Sequence, residues 1–137
     1  RAAFGYEFLD RPDGYAGLAR TYGLTFAAPP SSMDLSLTYR ALASRQVDLI
    51  AGDATSGLIA SLDLVQLEDT RGYFPPYDAV PVARTDALLR HPEMLRVLVG
   101  LAGRVTVRQM REMNRRVEAL QQPPATVARD FLNGRIR

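Results

Sequence analysis

What most constrains the fold of this chain is a change of hydrophobic rhythm partway along it. Up to about residue 82, short β-like runs alternate with short amphipathic segments; beyond that point every patterned segment has helical spacing. Residues 3–9 read as a strand, and Arg11-Pro12-Asp13-Gly14 as a turn feeding a helix through Tyr22 that Gly23 closes. Residues 24–26 look like a short strand. After the Pro29-Pro30-Ser31-Ser32 loop, Asp34 caps a helix that turns Leu37 and Leu42 inward. A compact buried strand at 47–51, a loop at 52–57, a short helix at 58–62 and strands at 64–67 and 79–83 follow. Helices are then expected at 85–90, 92–102, 106–120 and 124–132, with Pro92 and Pro124 where a first helical turn accepts proline. Val107, Met110, Met113 or Asn114, and Val117 have the spacing of one buried stripe. Strands alternating with helices predict an α/β layer with parallel pairing. The shift near Val82 predicts a boundary between an α/β lobe, 1–82, and a helical C-terminal segment, 83–137.

The chemistry open to such a chain is narrow. With no cysteine and one histidine, His91, disulfides and thiolate metal sites are excluded, and a histidine-based metal site or Ser-His triad is disfavoured. A net charge of +2 without a like-charge run gives no nucleic-acid or membrane-surface patch. All basic side chains are arginine, which GC-rich coding explains without a functional cause. The apolar stretch 94–102 is broken by Arg96 and is too short to span a bilayer. An opening on Arg1-Ala2-Ala3-Phe4, with no signal peptide, reads as a piece of a longer sequence.

Three loops carry the candidate site residues, each after an expected strand, where open α/β layers collect ligands. In the first, Arg11 either clamps a carboxylate with its planar fork or pairs locally with Asp13 or Asp10. In the second, Gly52-Asp53-Ala54-Thr55-Ser56-Gly57, Asp53 can neutralise a cation and Thr55 can donate a hydrogen bond; a helix-capping turn is the alternative. In the third, Gly72-Tyr73-Phe74-Pro75-Pro76-Tyr77-Asp78, paired prolines stiffen a loop of aromatic rings, whose faces attract quaternary ammonium ions. Phe74 is expected in the core and Tyr77 outside it. Asp53 with Asp69 or Asp78 could form a catalytic carboxylate pair, but no spacing joins them; Ser31 and Ser56 lack a nucleophile-elbow context. No catalytic residue and no cofactor is expected.

Together with Tyr39-Arg40-Ala41-Leu42, Val47-Asp48-Leu49-Ile50, Leu67-Glu68-Asp69, Ala79-Val80-Pro81-Val82, Met110-Arg111-Glu112-Met113-Asn114 and Val127-Ala128-Arg129-Asp130-Phe131-Leu132, these loops resemble the glycine betaine/choline-binding proteins of osmoprotectant ABC importers. The resemblance runs from end to end, with the motifs in family order. It implies a periplasmic-binding-protein type II-like lobe, followed by helices that complete a first lobe whose N-terminal half lies outside this chain. It implies binding, not catalysis: lobe closure on glycine betaine, choline or a similar osmolyte at the extracytoplasmic face of a bacterial membrane, and delivery to an ABC permease with its ATPase. By the same resemblance Arg11 engages the ligand side of the cleft or the closing network. Tyr77 is a cage tyrosine, and Thr55 matches the threonine of the family's Tyr-Ser-Thr-Asp-Gly loop. Asp53 stands where relatives place a cage tyrosine, and Ser56 where they place an aspartate. The alternative is an isolated or degenerate lobe serving as a regulatory or interaction domain, prone to form a homodimer or domain swap.

Overall fold

The run Ala2-Ala3-Phe4 is apolar on every residue, as suits a strand buried on both faces, and it forms the centre of the molecule. The computed structural model describes residues 1–136. Strand β1 (Ala2–Gly5) is flanked by β2 (Ser31–Met33) and β3 (Leu49–Ile50), both parallel to it, in the order β2-β1-β3. Ala3 sits opposite Ser31 on one side and Ile50 on the other. The small alanines let a helix approach closely: Ala3 packs with Ala41 and Val47, and Met33, Leu42 and Ile50 close around them.

Gly5 ends β1, and helix α1 (Tyr6–Asp10) begins at once where the sequence pattern had continued the strand to residue 9. The reason is the fourfold spacing of Phe4 and Phe8, whose rings meet at 5.3 Å only if the chain turns. Helix α2 (Tyr15–Tyr22) ends on Gly23 at φ 66°, the left-handed closure expected. Tyr15 packs on Phe4 and Phe26 packs on Tyr15, which keeps 24–26 out of the sheet. The strand instead falls at Ser31–Met33, read from sequence as part of a loop; as a polar, exposed edge it carries no apolar alternation to read.

Asp34 caps α3 (Leu35–Ala43) by accepting from the Ser36 amide at 2.8 Å. Thr38, Tyr39 and Ala41 form its buried face, whereas Leu37, expected inward, is exposed. Helix α4 (Leu58–Ser61) follows the 52–57 loop as expected. The segments 64–67 and 79–83 form no strands. Their β-type residues lack a partner edge, and Val65 and Val82 stand 85% and 92% exposed.

Beyond the sheet come α5 (Thr85–Arg90), α6 (Glu93–Val99), α7 (Val107–Glu118) and α8 (Pro124–Leu132), close to the expected positions. A capping box starts α7: the Thr106 hydroxyl accepts from the Gln109 amide, and the Gln109 side chain accepts from the Thr106 amide. Helices α5 and α6 pack mainly on each other, leaving Leu89, Leu95, Val97 and Val99 exposed. By contrast α7 packs on α4 and α8, where Val127 is buried. Arg116 ties α7 to α8 through Asp130 at 2.6 Å, and Arg135 reaches the other oxygen at 3.1 Å. No helix among the described residues is long and apolar enough to cross a membrane.

Several carboxyls are held below their usual range by donors in the fold: Asp48 by Arg1, Asp34 by Ser36, Asp69 by Tyr22, Glu112 by Arg115 and Asp130 by Arg116. A carboxyl depressed in the folded state stabilises above its unfolded pKa, and that stability is lost as pH falls through the folded value. The urea midpoint is therefore expected to be level near neutrality and to fall below about pH 4. Equilibrium unfolding across a pH series checks this; a midpoint that rises on acidification would contradict it.

Candidate functional site

Because β1, β2 and β3 run parallel, their carboxyl ends open onto one edge, and α1, Asp34 and the 51–57 segment leave from it. This is the edge where α/β layers place ligands. The pairing of β1 with β3 sets the start of α1 beside the 52–57 loop. Tyr6 therefore stands at this rim, 59% exposed. The strand expected through residue 9 conceals it; Gly5 before it, a strand-breaking residue, is the signal for the turn.

Arg11 lies one residue beyond α1. Its fork is taken by Asp13, with Nε to Oδ1 at 2.9 Å and Nη2 to Oδ2 at 2.5 Å, which is the local pairing that the spacing allowed. Asp13 holds the Arg11 pKa above its ordinary value, with smaller contributions from Glu7 and the Tyr77 hydroxyl. Arg11 in turn holds the Asp13 carboxyl low.

The aromatic loop docks on this first loop. Tyr73 donates its hydroxyl to the Gly14 carbonyl at 2.9 Å, and the Phe74 ring stacks on Phe8 at 6.3 Å. Its seat depends on Gly17, where a Cβ would stand 3.1 Å from the Tyr73 ring and 2.9 Å from the Pro12 carbonyl oxygen. Phe74, expected in the core, is half exposed and caps a file of rings running through Phe8, Phe4 and Tyr15 to Phe26. Asp69 anchors the loop from behind. Its carboxylate accepts from the Tyr22 hydroxyl, from the Tyr73 amide at 3.0 Å and from the Phe74 amide at 2.8 Å. So engaged, Asp69 is a brace and offers no free base. Beyond the docked rings and the paired prolines, Tyr77 stands 93% exposed.

Asp53 and Thr55 lie on the other loop. Asp53 is exposed, and its carbonyl accepts from the Ser56 amide at 3.0 Å in a turn. Thr55 is half-buried, with its carbonyl bonded by Asn114 of α7 at 2.8 Å. Under this loop lies Tyr39: a Cβ on Gly52 would come within 2.9 Å of its Cζ. Thus Arg11 and Tyr77 are placed on interlocked loops, and Asp53 and Thr55 on a second loop leaving the same edge. Among the described residues no hydrogen bond joins the two pairs, and no cluster of His, Cys, Asp or Glu is arranged to hold a metal.

The charge is unevenly divided. Residues 1–82 carry six arginines against ten carboxylates, and 83–137 carry eleven against five. The edge with the candidate residues therefore belongs to the acidic part.

Comparison with known proteins places these features in context. The family described as the substrate-binding domain of ABC-type glycine betaine transport systems matches residues 1–134. A glycine-betaine-binding protein of Pseudomonas aeruginosa is 39% identical over 92% of this chain and 41% of its own length. An ergothioneine transport permease/ergothioneine binding protein of Helicobacter pylori is 33% identical over 93% of this chain and 23% of its own. A crystal structure of a glycine betaine/carnitine/choline ABC transporter superposes with a TM-score of 0.80 at 33% identity, covering 97% of this chain and 49% of that one. The chain thus spans half or less of the length of these relatives.

Proposed function

Because the chain belongs to the family of substrate-binding domains of ABC-type glycine betaine transport systems, we propose that it forms one face of a cleft that captures a quaternary-ammonium solute and delivers it to a permease. Proteins of this family bind substrate for a transporter and are not enzymes. The observation that carries the proposal is Tyr77, an aromatic ring 93% exposed three residues beyond the segment that Asp69 braces at Tyr73 and Phe74. A ring so placed contributes little to folding, but its face can stabilise a cation that makes no hydrogen bonds. Tyr77 meets the trimethylammonium group, and Asp53 and Thr55 provide polar selection. Arg11 either bonds a ligand carboxylate by leaving Asp13 or joins the network that closes the lobes.

Two features favour a cationic ligand such as choline over zwitterionic glycine betaine. Asp53 sits at the rim, and the acidic part of the chain attracts cations toward it. In the same reading, 1–82 is the α/β second lobe of a type II binding-protein fold. Residues 83–137, helices α5 to α8, complete the other lobe, with α5 and α6 exposed on their apolar sides and α7 meeting the α/β part at α4. Closure is a hinge motion of the two lobes, outside the cell membrane, with the permease and its ATPase as partners.

A ligand that binds the folded state at a hundred times its dissociation constant stabilises it by about 2.7 kcal/mol. Thermal melting of the full-length protein with choline, glycine betaine or carnitine should accordingly rise by several degrees, and tetramethylammonium alone should give a smaller rise. No shift with any of the four would count against the proposal.

A second reading takes the exposed apolar side chains of α5 and α6, Leu89, Leu95, Val97 and Val99, as covered by a second copy, the chain then being an isolated lobe acting as an interaction domain. Light scattering that finds a stable dimer, together with no thermal shift, would favour this reading.

A further inference from the structure

Four hydrogen bonds fasten the 52–57 loop to one face of α7. Arg111 gives two donors to the Ala54 carbonyl, Nε at 3.0 Å and Nη2 at 2.6 Å. Asn114 Nδ2 donates to the Thr55 carbonyl at 2.8 Å, and Glu118 Oε2 accepts from the Gly57 amide at 3.1 Å. Residues 111, 114 and 118 lie on one helix face, so a single rigid element grips three backbone groups of the loop. Gly57 permits the approach, since a Cβ there would lie 2.5 Å from Arg115 Cα and 2.6 Å from the Asn114 carbonyl carbon. Arg111 extends the grip by donating to Gln66 Oε1 at 2.6 Å, and Arg116 carries it on to α8 through Asp130.

These side chains are spent on the backbone of a short loop that bears Asp53 and Thr55, not on the sheet. We propose that Arg111, Asn114 and Glu118 are positioning residues: they fix where Asp53 and Thr55 present their polar groups, and so set the preference between a cationic and a zwitterionic ligand. The proposal rests on the binding function above. A backbone held at the Ala54 carbonyl by the Arg111 guanidinium, at the Thr55 carbonyl by a neutral amide and at the Gly57 amide by the Glu118 carboxylate cannot shift to suit each ligand in turn. Binding at the loop therefore loads α7 and α8 together, which links the rim to the helical part of the chain.

The test uses the full-length protein and the Arg111→Ala variant, with Arg111→Lys as the conservative control. Without ligand, amide exchange at Ser56, Gly57 and Leu58 should speed up about tenfold in Arg111→Ala, with β1 unchanged. In calorimetry the ratio of choline to glycine betaine affinity should move by at least about threefold, and Arg111→Lys should restore much of it. Unchanged exchange at 56–58 would overturn the proposal, as would equal losses for both ligands at a constant ratio, the mark of a merely structural brace. Should the variant not fold, exchange in the unaltered protein decides: choline must protect 53–57 and α7 together, and protection of the loop alone would overturn the linkage. If the unaltered protein binds neither ligand, the binding function fails, and the ligand-free exchange still reports separately whether α7 holds the loop.

Discussion

Tyr77→Ala is expected to weaken choline binding about tenfold and to leave the thermal transition unmoved. The two halves of this expectation share one cause. At 93% exposure the Tyr77 ring makes almost no packing contribution to the folded chain, so its removal leaves no cavity. A cation seated on a desolvated aromatic face gains roughly 1–2 kcal/mol, which is the tenfold factor. Tyr77→Phe keeps the face and should bind nearly as well. Titration calorimetry and melting on the same two variants check both halves. An unchanged affinity for Tyr77→Ala would remove Tyr77 from the site.

The largest effect on stability is expected from Gly57→Ala. The atoms a Cβ would meet are backbone atoms of α7, at 2.5 and 2.6 Å, so no rotamer change can make room. Either α4 or α7 must shift. Overpacking of this kind costs about 1–3 kcal/mol, and each bond lost between α7 and the 54–57 backbone adds about 1 kcal/mol. A loss of about 3 kcal/mol, lowering Tm by roughly 10 °C for a chain of this size, is the expected result. Urea unfolding measures it directly. A change below about 0.5 kcal/mol, the range of ordinary surface substitutions, would mean that α7 does not sit on this glycine.

How much of this was legible in the sequence depended on whether local chemistry sufficed. Asp34 and Thr106 were readable as helix starts because a cap is built from neighbouring residues, and Gly23 as a stop because only its backbone freedom was needed. The strands were less readable because each needs a partner. Ser31–Met33 pairs without an apolar pattern, while 64–67 and 79–83 have the pattern and no edge to join. The rhythm of 3–9 also fits a strand that turns into a helix at Gly5, and this hid Tyr6 from view.

Of the candidate site residues, Arg11, Asp53, Thr55 and Tyr77 were nameable because loops rich in glycine, proline and aromatic rings stand out against patterned segments. Two things about them were not readable. Asp13 occupies the Arg11 fork, one of two pairings that the spacing left open. The grip of α7 on Ala54, Thr55 and Gly57 joins groups 57 to 61 positions apart, and no local pattern announces it. Asp69 is one of the acids from which a carboxylate pair could be drawn, yet its work is to hold two amides and a phenol.

The proposal at the centre is capture of a quaternary-ammonium solute, with Tyr77 on one loop and Asp53 on another. Titration calorimetry of the full-length protein with choline, glycine betaine, carnitine and proline betaine tests it most directly. The account predicts at least one ligand bound well below millimolar, with choline ahead of glycine betaine and that lead lost in Asp53→Asn. Dissociation constants of about 1 mM or weaker for all four, some 4 kcal/mol or less of binding energy, would contradict it.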